Sequence, residues 1–122
     1  MYDTKKYKTK EKTMKALAIK TNGSIEHVNL SDSDTISELQ EYVDGWVQVV
    51  GLNDNIEMWL NEEGKIEGLP HNTKAQKIWD HFIGPATDYI VGNVIITGAP
   101  DDDGNVTGLT TSNQNDLMKL IS

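Results

Sequence analysis

Gly68-Leu-Pro-His-Asn-Thr-Lys-Ala75, followed by Asp88-Tyr-Ile-Val-Gly-Asn-Val-Ile-Ile-Thr-Gly98, carries most of what the chain says about its fold. The first piece reads as a loop running into a helix that starts at Asn72. An asparagine side chain can accept a bond from the N–H groups that the first helical turn leaves free. Ala75, Ile78, Trp79 and Phe82 then recur at i, i+3, i+4 and i+7, so a helix over 73–82 buries one stripe. Gly84-Pro85 breaks it. The second piece reads as the most apolar strand, over 89–97, central in its sheet and interrupted by Gly92.

The rest of the fold follows outward from this pair. Asn22-Gly23 is a strong hairpin signal, because both residues tolerate positive φ; it joins strands over 15–21 and 24–30. Thr35-Ile-Ser-Glu38 has the form of a capping box, and Ile36, Leu39 and Val43 then share one helical face. Gly45 is a natural stop. Strands over 46–52 and 56–61 flank the turn Asn53-Asp-Asn55, and 65–69 continues as a short edge strand. Residues 100–105 form an acidic turn. A short helix over 116–121 turns Leu117, Leu120 and Ile121 inward. This order predicts an α+β domain: a mainly antiparallel sheet of about five strands with two to three helices packed on one face.

At 122 residues the chain fits one domain, expected over 14–122. No stretch approaches the apolar length of a membrane-spanning helix, and no secretory signal opens the chain. Without cysteine there are no disulfides and no thiolate metal sites, which fits a cytosolic location. All 11 basic residues are lysine, and the formal net charge is −8. Lys5, Lys6, Lys8, Lys10 and Lys12 lie in a polar, aperiodic stretch over 1–13 that reads as a disordered tail. With Asp3 and Glu11 that tail is +3, leaving −8 − 3 = −11 for the rest. Met14 opens the structured part and would serve as a natural translation start. A body this acidic repels nucleic acid, and the missing arginines remove the usual bidentate readers of guanine and phosphate. Sequence-specific nucleic-acid binding is not expected.

Catalytic and metal signatures are absent. Asp101-Asp-Asp-Gly-Asn105 fails as a calcium loop, because Val106 stands at the required glycine and Ser112 at the required glutamate. His27, His71 and His81 have no zinc spacing, and His27 alternates with apolar residues so as to face solvent. No serine sits in a nucleophile elbow, and no glycine-rich phosphate loop occurs. The expectation is a non-catalytic protein with no cofactor. One candidate anion site survives: the start of the helix at Asn72, with Pro70 and His71 before it and Thr73, Lys74 and Lys77 after it. The same residues also suit ordinary helix capping with solvated lysines. Trp79 and Trp46 read as structural. Trp59 follows Met58 in an amphipathic strand, so one of the two should point outward; an outward Trp59 could stack on a base or seal a subunit contact.

From Met14 onward the chain resembles a family of small proteins catalogued as domain of unknown function 3846. The resemblance rests on Met14-Lys-Ala-Leu-Ala-Ile, on the hairpin to Glu26, on Glu57-Met-Trp-Leu-Asn-Glu-Glu-Gly64, and on the two stretches quoted first. The acidic turn and Gly108-Leu109 fit as well. His71 stands where the pattern leads one to expect a second proline. The resemblance implies a bacteriophage or mobile-element origin and work in a host bacterial cytoplasm, against host defence. Two mechanisms suit that setting. A homo-oligomer could sequester a nucleotide-like immune signal around Pro70, His71, Asn72, Thr73, Lys74, Trp59 and Gly98. Alternatively, an acidic face could imitate DNA and block a restriction or other defence protein.

Overall fold

The computed structural model describes residues 12–122. The tail expected over 1–13 therefore lies outside the described residues, except for Lys12 and Thr13. Eight elements follow: β1 (Thr13–Ile19), β2 (Ile25–Ser31), α1 (Thr35–Val43), β3 (Val47–Gly51), β4 (Ile56–Asn61), α2 (Thr73–Phe82), β5 (Val94–Gly98) and α3 (Thr111–Ile121). The five strands form one sheet in the order β2-β1-β5-β4-β3. Every neighbouring pair is antiparallel. The α+β class, the sheet of about five strands and the central place of β5 are as the sequence predicts, but β5 begins at Val94 and not at 89, and Val91 makes only an isolated bridge to His71.

The helices are not all on one face. α2 and α3 cover the face carrying Leu17, Ile19, Met58, Leu60, Val94 and Ile96. α1 covers the other, where Ala16, Leu30, Trp59 and Ile95 meet Leu39 and Val43. The topology explains this. β2 and β3 are opposite edges of the sheet, so the chain between them must cross the whole sheet, and α1 makes that crossing. Met58 and Trp59 are adjacent and both buried because a strand covered on both faces reads as a continuous apolar run, not as an alternation.

Local devices differ from their sequence forms at four places. The capping box at α1 does not close. Asp34 is the N-cap and makes no side-chain cap bond. Thr35 Oγ1 instead donates to the Ser31 carbonyl at 2.6 Å, and the Glu38 carboxylate accepts from Ser31 N–H at 2.9 Å. Ile36 is 50% exposed, off the buried stripe. At the other end of α1, Asp44 takes the left-handed conformation (φ 63), and Asn61 Nδ2 donates to the Val43 and Asp44 carbonyls, 3.2 Å each. The edge strand expected over 65–69 is a run of turns, closed by Glu67 N–H to Glu63 O at 2.9 Å and Leu69 N–H to Gly64 O at 2.9 Å. Finally, α3 begins five residues before the expected 116, because Thr110 Oγ1 accepts from Asn113 N–H at 3.0 Å.

Candidate functional site

Asn72 is where the two quoted stretches meet. It is extended, completely buried, and makes five bonds. Its Oδ1 accepts from Ala75 N–H at 3.1 Å, which caps α2. Its Nδ2 donates to the carbonyls of Ile19 and Gly92, both at 2.9 Å. Its own N–H donates to Ile90 O, and its carbonyl accepts from Gln76 N–H, both at 2.9 Å. One side chain thus ties the end of β1, the start of α2 and the approach to β5. Gly92 N–H donates to Pro70 O at 2.8 Å, and His71 bridges Val91, so 70–72 and 90–92 form a short antiparallel ribbon. Gly92 lies at φ +77, and a Cβ there would come within 2.8 Å of Leu69. Every polar atom of Asn72 is therefore spent inside the protein, and none faces a ligand.

Lys74 is also committed. Its Nζ donates to Gly23 O at 2.7 Å and so docks the hairpin turn on the first turn of α2. Asn93 Oδ1 holds the same turn through Thr21 N–H at 3.0 Å. Pro70 and Thr73 are exposed beside this junction.

Trp59 and Gly98 do not join this group. Trp59 is 7% exposed and lies under α1, on the sheet face opposite α2. Its Nε1 donates to Thr97 Oγ1 at 2.9 Å. It cannot stack on an external ring without displacing α1. Gly98 is buried at the far end of β5, four residues from Val94, a span of about 13 Å at strand rise. There it lets the chain at Thr107 and Gly108 approach the sheet, which any Cβ would obstruct. The constellation expected around Asn72 therefore divides into three separate places.

His71 opens onto a different feature. Its ring stacks on Tyr89, with centroids 4.3 Å apart and planes 9° from parallel. Gln76 organises the surroundings. Its Oε1 accepts from Ile90 N–H at 2.8 Å, and its Nε2 donates to Asp80 Oδ1 and to the Asp88 carbonyl, both at 2.9 Å. Those bonds fix the amide orientation, so His71 Nε2, 3.1 Å from Gln76 Oε1, is the donor of that pair. His71, Gln76, Asp80, Thr87, Asp88 and Tyr89 line a shallow depression of about 460 Å³. Lys65 pairs with Asp88, and its bond holds that carboxyl below the usual carboxylate range.

A larger cleft of about 780 Å³ lies near the Gly98 end of the sheet, between 12–14, 32–37 and 104–108. It was not legible in sequence, because its walls come from three distant segments. Two backbone N–H groups, from Asn105 and Asp103, hold the Asp101 carboxyl on its rim below its ordinary pKa.

Lysine is distributed unevenly along the chain. Residues 21–64 contain Glu26, Asp32, Asp34, Glu38, Glu41, Asp44, Asp54, Glu57, Glu62 and Glu63, and no lysine or arginine. This segment includes α1 and both edge strands. Lys20 enters the cleft between β2 and α1 but is engaged by Glu26 at 2.9 Å. Burial, then the nearby Glu26 and Glu38 carboxylates, push the Tyr42 phenol up from its ordinary pKa. On the other side α2 and α3 mix Lys74, Lys77 and Lys119 with Asp80 and Asp116. Among the described residues, no three His, Asp or Glu side chains are grouped to hold a metal ion, and no helix is long and apolar enough to cross a membrane.

The sequence profile of domain of unknown function 3846 matches residues 14–122. The chain belongs to this family. Its match starts one residue after β1 begins and takes in every later element. No curated protein and no solved structure matches the chain.

Proposed function

We propose that this member of the family is a non-catalytic binding protein of phage or mobile-element origin. It works in a host bacterial cytoplasm by presenting its acidic α1 face to a nucleic-acid-binding defence protein. The observation that carries this reading is the run of ten carboxylates without a basic residue over 21–64, of which Asp32, Asp34, Glu38, Glu41 and Asp44 lie on α1 and its flanking loops. A cationic groove made for a phosphate backbone would meet this face through the same electrostatics that bind nucleic acid. The bland alternative, charge for solubility alone, predicts carboxylates interleaved with lysine everywhere, as they are on α2 and α3.

The test is displacement of labelled duplex DNA from purified DNA-binding restriction and defence enzymes, followed by anisotropy. The wild-type chain should displace DNA from at least one of them, and less so as salt rises. The triple variant Asp32→Asn, Glu41→Gln, Asp44→Asn should lose displacement at least tenfold. Asn suits position 44, where the backbone is left-handed. Equal displacement by the variant, or none by wild type across the panel, would sink the proposal.

A second reading, capture of a small nucleotide-like ligand, is favoured by one feature: the exposed His71–Tyr89 stack beside the Gln76 amide. Such a site would grip a planar base and not a phosphate, because Asp80 and Asp88 stand on its rim and Lys74 is engaged elsewhere. Native mass spectrometry after incubation with extract from phage-infected, defence-carrying cells separates the two readings. A nucleotide-sized adduct lost in Tyr89→Ala supports the second.

A further inference from the structure

The two open edges of the sheet are not equivalent. In β3 the bonding register tells which backbone groups face outward. Glu62 N–H donates to Trp46 O at 2.8 Å, and Leu52 N–H donates to Ile56 O at 3.0 Å. Both belong to the register that pairs Gln48 with Leu60 and Val50 with Met58. In an antiparallel pair such bonded residues alternate with residues whose N–H and C=O point away. The outward groups are therefore those of Val47, Val49 and Gly51, and no described residue takes them up.

The same reasoning turns Ile25, His27, Asn29 and Ser31 of β2 outward, but this edge is better guarded. Lys20 N–H donates to Ser24 O, and Asp32 N–H to Lys12 O, so Ser31 N–H points outward. There the Glu38 carboxylate caps it. Glu26 and His27 add a charged and a polar side chain along β2, and His27 meets Gln114 of α3. Side-chain charge and local capping are the usual protections of a sheet edge. β3 has none: Val47-Gln-Val-Val-Gly51 carries no charge and no proline. Beside it, Val49 is 44% exposed and Trp46 68% exposed.

We infer that β3 pairs antiparallel with β3 of a second copy of this chain, joining two sheets into one of ten strands. Two features select a second copy as the occupant. First, the outward groups are centred on Val49, so a two-fold axis there matches Val49 with Val49 and Val47 with Gly51, each bond reciprocated. Second, β3 itself brings no charge to the axis, and the nearest carboxylates in line with it, Asp44 of one copy and Asp54 of the other, lie beyond the strand ends. The pairing is independent of which target the α1 face engages.

The test is sedimentation equilibrium with hydrogen exchange at low and high protein concentration. A dimer is expected, with Val47, Val49 and Gly51 amides at least tenfold more protected at high concentration. Salt should strengthen it by screening repulsion between the acidic bodies. Val49→Lys places two like charges across the axis and should give a folded monomer. Should that variant unfold, Gln48→Lys with the exchange data decides, since Gln48 is exposed and its N–H faces β4. A wild-type monomer at high concentration, or a dimer whose three β3 amides exchange freely, would overturn the inference.

Discussion

The two faces of the sheet solve the same burial problem with different means. On the α2 and α3 face, two helices seal a large aliphatic cluster, and a single polar residue, Asn72, fixes how they dock. On the α1 face, one nine-residue helix covers a smaller cluster in which Trp59 supplies much of the apolar area. α1 is held at its ends by bonds to the strands it spans: its own Thr35 and Glu38 side chains bond the Ser31 backbone at the start, and the Asn61 side chain bonds the Val43 and Asp44 carbonyls at the finish. The first face spends its polar groups inward on architecture. The second keeps its outer carboxylates in water, where they are free to meet a partner. That difference moves the functional reading from the helix-two start to the acidic face.

Trp59→Ala is the strongest way to break the α1 face. It empties the centre of the smaller cluster and should cost about 3–5 kcal/mol in denaturant unfolding. Trp59→Phe keeps an aromatic ring but loses the bond to Thr97 and part of the indole's volume, so it should cost less than the alanine. If Trp59→Ala were nearly neutral, α1 would not be a stabilising layer.

Asn72→Ala is the matching test of the opposite face. It removes a helix cap and leaves the Ile19 and Gly92 carbonyls buried without their donor, a loss of roughly 2–4 kcal/mol. Amides at the β1 end and in the first turn of α2 should lose exchange protection together. Unchanged stability would mean that Asn72 is not the tie described above.

Glu57→Gln gives the smallest effect. Burial raises the Glu57 carboxyl above its ordinary pKa. A raised pKa favours the protonated form in the folded state. Its contribution is therefore present below the unfolded value, about 4.3, and is lost as pH rises through the folded value. At pH 7 the ionised group is a small cost, so the glutamine variant should melt slightly higher than wild type. The difference should vanish below pH 4. A higher Tm of wild type at pH 7 would contradict this account of Glu57.

Much of the fold could be read directly from residue spacing. The Asn22-Gly23 hairpin, the strand Ile56–Asn61, and the helix Thr73–Phe82 with its Asn72 cap all form where the sequence places them. Each depends on contacts within a few residues: a turn that needs positive φ, a side chain that reaches its own helix, a stripe of fixed period. The site was less legible. Asn72 and Lys74 looked available because sequence shows a residue's own neighbours and not the carbonyls of Ile19, Gly92 and Gly23 that claim them. Trp59 looked outward because alternation assumes one solvent face. The His71–Tyr89 stack joins residues eighteen apart by number and carried no signal beyond the nearness of both to the quoted loop.

By itself the sequence determined the class, the central strand and the acidic balance, since period, caps and charge are properties of the local chain. Tertiary structure alone decided that α1 crosses the sheet on its own face and which polar groups are already satisfied. It also decided which strand edge is left open. Those outcomes depend on contacts between segments far apart in the chain, which no local pattern encodes.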